Sequence, residues 1–86
     1  MQQPIDVIAH CKADGSMEPI RFRYETKHRR IENVSIERIV SRNLVNFVGV
    51  EAFVYLCKAV EGDRSRMFEL RYNVQSHSWA LQSILY

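Results

Sequence analysis

Hydrophobic and polar side chains alternate with a period of two over most of this chain, a pattern typical of β-strands. Ile5 and Val7 lie on one side of a first strand predicted over residues 4–12. The segment KADGSMEP follows this strand. Its Asp14-Gly15 pair predicts a hairpin turn, because glycine adopts a positive φ without steric cost.

The clearest alternation lies after this turn, in the segment PIRFRYE. Ile20, Phe22 and Tyr24 are predicted to face the core of a second strand, and the arginines between them are predicted to face solvent. Pro19 is at the predicted start of the strand, where its missing N–H does least harm.

The segment RRIENVSIERIVSRNLV is compatible with two structures. As a strand it points Val34 and Ile36 inward, and a bulge near residues 37–38 returns Ile39 or Val40 to the core. As a helix it carries an apolar stripe formed by Ile36, Ile39, Val40 and Leu44. We favour a strand over residues 31–44, because β-branched residues lose side-chain freedom in helices and the segment has no alanine.

Three further segments predict strands. AFVYLCKAV has apolar side chains on both faces, which indicates a strand in the middle of a sheet. EGDRSR contains a predicted Gly62-Asp63 turn, and in the next strand Phe68, Leu70, Tyr72 and Val74 alternate with polar residues. WALQSILY predicts a sixth strand, whose apolar residues are Trp79, Leu81 and Ile84.

This pattern predicts an all-β protein, either a small SH3-like barrel or a strongly bent antiparallel sheet of five or six strands. We expect residues 1–86 to form one domain, since the sequence shows no linker, repeat or low-complexity segment. A chain of 86 residues is also long enough for only one hydrophobic core.

The composition narrows the class of protein further. Twelve basic residues are almost matched by ten acidic ones, whereas a dedicated electrostatic binder of nucleic acid has a larger basic excess. Cys11 and Cys57 are too few for a disulfide framework, and we expect both thiols to be reduced. The chain also begins without signal-peptide features, and its apolar runs are too short to span a bilayer. A cytoplasmic protein without membrane association is therefore expected.

Basic residues interleaved with aromatic ones raise the question of nucleic-acid binding. Small barrels that bind single strands combine a basic groove with exposed aromatic platforms. Phe22 and Tyr24 are predicted to be on the face opposite the arginines, and ion pairs on a solvated sheet face explain the same charge pattern. A nucleic-acid site on this barrel would use the basic strand and hairpin, that is Arg21, Arg23, Lys27, Arg29 and Arg30.

Evidence for catalysis or metal binding is weak in this sequence. Cys57 and His77 could form a nucleophile–base pair, but a thiol in this apolar segment is expected to be a small buried hydrophobe. His10 and Cys11 are neighbours on a strand, so their side chains point to opposite faces and cannot chelate one ion together. We predict no enzymatic activity, no metal and no cofactor.

Self-association is a further hypothesis. A barrel this small can leave a strand edge open, and an open edge can pair with its copy across a two-fold axis. The segments NLVNFVGV and SILY carry more apolar residues than a core of this size holds. Our leading interpretation is a non-enzymatic binding or regulatory module with an unassigned partner; the alternatives are a nucleic-acid-binding barrel and a homodimerising protein-interaction module.

Two resemblances bear on the fold. The segments IDVIAHCKADG, PIRFRYE and FVYLCKAVEGDRSRMFELRYNVQSHSWAL resemble a group of short bacterial proteins of unknown function. FVYLCKAVEGDRSRMFELRY also looks like part of the WYL domain, a module with an SH3-like (Sm-like) barrel that is thought to sense ligands or nucleic acid. Here Val54 precedes the Tyr-Leu pair where that domain has Trp. The resemblance implies a small barrel and, by position alone, makes Arg64 and Arg66 candidate ligand-binding residues.

Overall fold

The fold is a closed barrel of six antiparallel strands. The structure, a computed structural model, describes residues 2–85. The strands are β1 Gln3–Cys11, β2 Met17–Glu25, β3 Ile31–Phe47, β4 Val50–Glu61, β5 Arg64–Asn73 and β6 Ser78–Ile84. Each strand pairs with the next one along the chain, and β6 pairs with β1. The predicted all-β barrel is therefore confirmed, in its six-stranded form and with the features of a small SH3-like barrel.

The described part of the chain contains no helix, and so none that could cross a membrane.

The core is built from the inward-facing positions that the period of two predicts. Phe22, Tyr24, Phe68, Leu70 and Tyr55 are all at least 95% buried. The rings of Phe22 and Phe68 meet edge to face with their centroids 5.2 Å apart, a favourable arrangement for aromatic pairs. Burial of these large side chains is the main source of stability in a domain of this size.

The ambiguous segment is a strand, as favoured above. Strand β3 runs from residue 31 to residue 47, and its register against β4 shifts once between Ile36 and Arg38 and again between Ile39 and Ser41. The first shift is the predicted bulge. It brings Ile39 against the core, whereas Val40 lies in the second bulge and is exposed.

Strand β4 is paired along both of its edges, as expected for a strand with apolar side chains on both faces. It pairs with β3 on one side and with β5 on the other. Tyr55, Cys57 and Ala59 are buried on its inner face, and Val54 and Leu56 on its outer face are half-buried.

The predicted inward position of Ile20 was wrong, and a bulge explains the error. Against β1 the register of β2 steps from Arg21 to Pro19, so Ile20 is an extra residue that is 49% exposed, while Pro19 is buried. Pro19 is the third residue of β2 rather than its first. In β6 the register against β5 skips Gln82, and Ile84 is exposed at the end of the strand.

The predicted turns at Gly15 and Gly62 are confirmed, and both glycines have a positive φ. Gly15, at a φ of 89°, lies in a turn closed by a 2.8 Å hydrogen bond from the Lys12 N–H to the Ser16 carbonyl. The β3–β4 hairpin ends in a two-residue turn at Val48 and Gly49, with φ values of 53° and 80°. Positive φ at both positions is the geometry of a type I′ turn, whose twist suits a hairpin.

One edge of β3 is open. Strand β2 pairs with β3 only up to the Arg21–Ser35 pair, and beyond this point β3 pairs with β4 alone. The two strands separate where Pro19 has no N–H to donate and where bulges at Ile20 and Glu37 bend both strands. Residues 36–47 of β3 are called the open edge below.

Candidate functional site

The predicted basic strand lies on the outer wall of the barrel. Arg21 and Arg23 are exposed on β2, on the face opposite Phe22 and Tyr24. Two hydrogen bonds of 3.1 and 2.8 Å join the Arg23 guanidinium to one carboxylate oxygen of Asp6 on β1. This is the cross-strand ion pairing that the charge pattern predicts.

Lys27, Arg29 and Arg30 lie in the exposed turn between β2 and β3, which makes a charged hairpin tip. The tip is held by its backbone and by Thr26, whose hydroxyl oxygen accepts from the N–H groups of His28 and Arg30 at 3.3 and 3.2 Å. The five predicted cations thus follow one strand and its turn, but none of the exposed large hydrophobic residues in the described part of the chain is aromatic. Among the described residues, no aromatic side chain is therefore exposed beside these cations.

Arg66 and Arg64, the other candidate cations, are at the same barrel end as the charged tip, beside the β4–β5 turn. The Arg66 guanidinium donates to one oxygen of Glu61 at 2.8 Å, and the hydroxyl of Tyr24 donates to the other oxygen. Burial alone would raise the pKa of Glu61, but these hydrogen bonds outweigh it and hold that pKa below its usual value. Arg64 is exposed.

Arg66 and Lys27 line one shallow depression of about 590 Å³ with Leu81 and Ile84. The structure thus brings together one residue from each predicted site. The charge of Arg66, however, is already balanced by the carboxylate of Glu61. Arg66 thus takes part in an ion pair at this end of the barrel, and its role as a ligand-binding residue stays a prediction.

The strongest candidate site is at the opposite end of the barrel, where three hairpins meet. It is a depression of about 470 Å³, called the end pocket below. Its lining comes from the β1–β2 turn, the β3–β4 hairpin and the end of β5 with the turn after it: Asp14, Gly15, Ser16, Met17, Arg42, Phe53, Tyr55, Tyr72, Val74 and His77. Its volume falls within the range of about 300–1,000 Å³ that small-molecule sites occupy.

The walls of the end pocket are aromatic, and strand register explains why. Phe53 and Tyr55 are two residues apart on β4, so both side chains lie on its inner face, and Tyr72 is opposite Phe53 on β5. Trp79, opposite Tyr72 on β6, packs behind them with ring-centroid distances of 4.9 Å to Tyr72 and 5.4 Å to Tyr55. The packed rings hold one another in place, so the pocket is largely preformed.

Polar groups converge on these rings. The guanidinium carbon of Arg42 is 4.5 Å from the centroid of the Phe53 ring, close enough for a cation–π interaction. The hydroxyl of Tyr72 is 3.0 Å from Nδ1 of His77, a residue held at a φ of 54° in the β5–β6 turn. Histidine tolerates this left-handed conformation better than most residues do. Arg42 and His77 are both exposed and can reach a bound molecule.

Tyr55 closes the inner end of the pocket. Its hydroxyl donates a 2.6 Å hydrogen bond to the carbonyl oxygen of Met17, where β2 and β3 no longer pair. Burial raises the pKa of Tyr55, so the phenol stays neutral and keeps this bond over the physiological pH range.

The carboxylate of Asp14, at the pocket rim, is hydrogen-bonded within its own turn. It accepts hydrogen bonds from the backbone N–H and the hydroxyl of Ser16 at 2.9 and 2.7 Å. These bonds lower the pKa of Asp14, which therefore stays ionised. It places one negative charge at the rim of the pocket.

The geometry bears on the thiol and metal hypotheses as well. Cys57 is fully buried, and burial raises its pKa to about 12, so almost no thiolate is present at neutral pH. His77, its suggested partner, bonds to Tyr72 instead. Cys11 is exposed and, like Cys57, is a free thiol. Over residues 2–85, no three His, Cys, Asp or Glu side chains are grouped so as to hold a metal ion.

The sequence did not single out the end pocket. Tyr72 was assigned to the core, Arg42 was one of many dispersed cations, and His77 was considered only as a partner of Cys57. The available signal was the length of the β3–β4 hairpin, which carries Arg42 beyond the last β2–β3 pair.

Comparison with known proteins adds no relative: no family model, curated protein or solved structure matches this chain. The resemblance to the WYL domain and to short bacterial proteins therefore stays a prediction.

Proposed function

We propose that this protein is a non-enzymatic binding module whose ligand occupies the end pocket. One observation carries the proposal: aromatic walls and a cationic group that faces solvent occur together in a preformed concave site. Arg42 sits on the ring of Phe53 and makes no ion pair within residues 2–85. Its charge is therefore available to a ligand.

The chemistry of the lining defines the ligand class. Rings of Phe53 and Tyr72 favour a flat apolar body, because aromatic groups bury large areas and attract one another edge to face or offset-stacked. The Arg42 guanidinium favours a carboxylate, to which it can donate two parallel hydrogen bonds. His77 supplies a further hydrogen-bonding group. We therefore assign the pocket to small aromatic or apolar carboxylates.

Trp79 makes this proposal testable by fluorescence. It is the single tryptophan of the chain and packs on two of the rings that line the pocket. Titration with phenylacetate is expected to change its emission and to saturate, whereas neutral phenylacetamide is expected to bind more weakly. Arg42→Gln should weaken phenylacetate binding about tenfold or more, since hydrogen bonds to charged groups contribute about 1.5–3 kcal/mol.

Arg38→Gln is the matched control, because Arg38 lies on the same strand but outside the pocket lining. It should leave the affinity for phenylacetate unchanged. Equal binding by the wild type and the Arg42→Gln variant, or no binding at millimolar phenylacetate, would contradict the proposal.

A second candidate function, nucleic-acid binding by the basic strand and hairpin, is favoured by one observation. Arg21, Lys27, Arg29 and Arg30 are exposed and make no ion pair within the described residues. Binding of a single-stranded oligonucleotide through several phosphates should weaken by orders of magnitude between about 50 and 200 mM salt. Absence of binding even at the lower salt concentration would exclude this function.

The proposed binding module is consistent with a cytoplasmic location and reduced thiols, which remain predictions.

A further inference from the structure

The open edge is a row of backbone groups without a strand partner. Residues 36–47 pair with β4 alone, and apart from that ladder their backbones make no backbone–backbone hydrogen bond within residues 2–85. Alternate residues of such a strand direct N–H and C=O groups outward, so an open edge is a template for another extended segment.

The open edge leads into the end pocket. Arg42 belongs to both, since it lies on β3 and lines the pocket. Leu44 and Val40 are exposed along the edge, at 56% and 43%, and the bulged Ile20 is exposed on the facing strand β2. An extended segment on the edge would therefore meet apolar side chains, and one of its own side chains would reach the aromatic walls.

The charge of the edge favours an acidic occupant. Arg38 and Arg42 make no ion pair within the described part of the chain. The acidic residue of the edge, Glu37, is already paired, since its Oε2 is 3.8 Å from Nζ of Lys58. Directly opposed like charges destabilise a strand pair, whereas opposite charges stabilise it. Register places the Arg38 side chain on the outer face, opposite Lys58, and that of Arg42 on the inner face, opposite the buried Tyr55. A segment that carries carboxylates on its outward face therefore opposes Arg38, while its inward face points to the end pocket.

A second copy of this chain satisfies this need for opposite charges less well. Symmetric antiparallel pairing centred on Arg42 would oppose this arginine to itself, and pairing centred on Arg38 would do the same to Arg38. A second copy would also bring its own bulges at Glu37 and Val40 against those of the first, whereas a short peptide adds none. The exposed Leu44, Val48, Val50, Ile84 and Leu85 fit the predicted apolar surplus, but the side chain of Phe47 and all of Tyr86 lie outside the described residues.

We infer that the open edge binds an extended acidic peptide segment by strand addition, and that one aromatic side chain of that segment enters the end pocket. This inference rests on the proposed function, because the pocket anchors the segment. The main-chain ladder supplies affinity, and the end pocket and Arg38 supply specificity.

Three synthetic peptides test the inference on the full chain. The first is acetyl-Glu-Val-Glu-Tyr-Glu-Val-amide, which alternates carboxylates with strand-forming residues. The second is the same peptide with alternate N-methyl groups on the residues that face the edge, which keeps its side chains but removes its main-chain donors. The third replaces each Glu by Lys. Binding is measured by Trp79 fluorescence and by the amide chemical shifts of residues 36–47.

The acidic peptide is expected to bind, to shift the amides of the open edge, and to lose at least about tenfold in affinity on N-methylation or on replacement of Glu by Lys. Arg38→Glu should weaken the acidic peptide by a similar factor and leave phenylacetate binding unchanged. Arg30→Glu, at the other end of the barrel, is the matched control and should change neither.

Three outcomes would overturn the inference. Phenylacetate could bind while the acidic peptide does not, which would leave the proposed function intact. The N-methylated peptide could bind as tightly as its parent, which would show that no ladder forms. Sedimentation of the peptide-free protein at micromolar concentration could show a dimer that Arg38→Glu alters, which would assign the edge to a second copy. Failure of both phenylacetate and peptide would refute the proposed function itself.

Discussion

Replacement of Val48 by asparagine should stabilise the protein. Val48 is at a φ of 53° in the β3–β4 turn, a conformation that clashes with the side chain of an L-residue, most of all a β-branched one. The cost is about 1–2 kcal/mol per residue, and Asn-Gly is the preferred sequence of a type I′ turn. Val48 is 87% exposed, so the change removes almost no packing.

The expected gain is about 1 kcal/mol in the free energy of unfolding, since asparagine recovers most but not all of the strain. For a domain of this size that gain corresponds to a rise in Tm of about 4–8 °C. Thermal unfolding followed by circular dichroism would detect it, and urea unfolding would give the change in free energy directly.

Val50→Asn is the matched control for this experiment. Val50 is two residues away and also exposed, but it lies in β4 with an ordinary negative φ. The same chemical change there should lower the stability by up to about 1 kcal/mol, because asparagine is a poor strand residue. A fall in Tm for Val48→Asn, or equal effects at both positions, would refute the left-handed geometry of the turn.

Other predictions concern the interior of the barrel. An alkylating reagent should modify Cys11 in the folded protein but Cys57 only after unfolding, because Cys57 is buried and its pKa is raised to about 12. Mass spectrometry of the labelled peptides would show this difference. Rapid labelling of Cys57 in the native protein would contradict it. Burial and the neighbouring Glu61 raise the pKa of Tyr24 from 10.0 to about 12, so its contribution to stability is complete below pH 10 and is lost as the pH rises through about 12. Tyr24→Phe should reduce this alkaline loss in a pH series of urea unfolding, and an unchanged slope would argue against the Tyr24–Glu61 bond. Phe68→Ala should lower the free energy of unfolding by about 3–5 kcal/mol, because Phe68 is fully buried, and Phe68→Leu should lower it clearly less. In urea unfolding, a loss below about 1 kcal/mol for the alanine variant would mean that the core is not packed around this ring.

The period of two predicted much of the fold because burial decides it. Phe22, Phe68 and Leu70 occupy inward positions since a regular strand has no other way to bury them. The bulge at Glu37 was also predictable, because the apolar residues of β3 change parity there.

The rest depended on contacts that local patterns do not contain. Ile20 was misassigned because a bulge opposite β1 reverses the parity of one residue, and its polar neighbours give no sign of it. The end pocket was missed because Arg42, Phe53 and His77 come from three different strands and turns. Only strand register brings them together, and a sequence does not specify register over such separations.

The seam between β1 and β6 has a consequence for how the barrel moves. Within residues 2–85 three residue pairs join these strands, Gln3–Leu81, Pro4–Ala80 and Ile5–Trp79, and the proline contributes no N–H to them. Every other junction is longer. We therefore expect transient opening to begin at this seam, so that the cylinder unrolls into a curled sheet and Trp79 meets water before the remaining ladders separate.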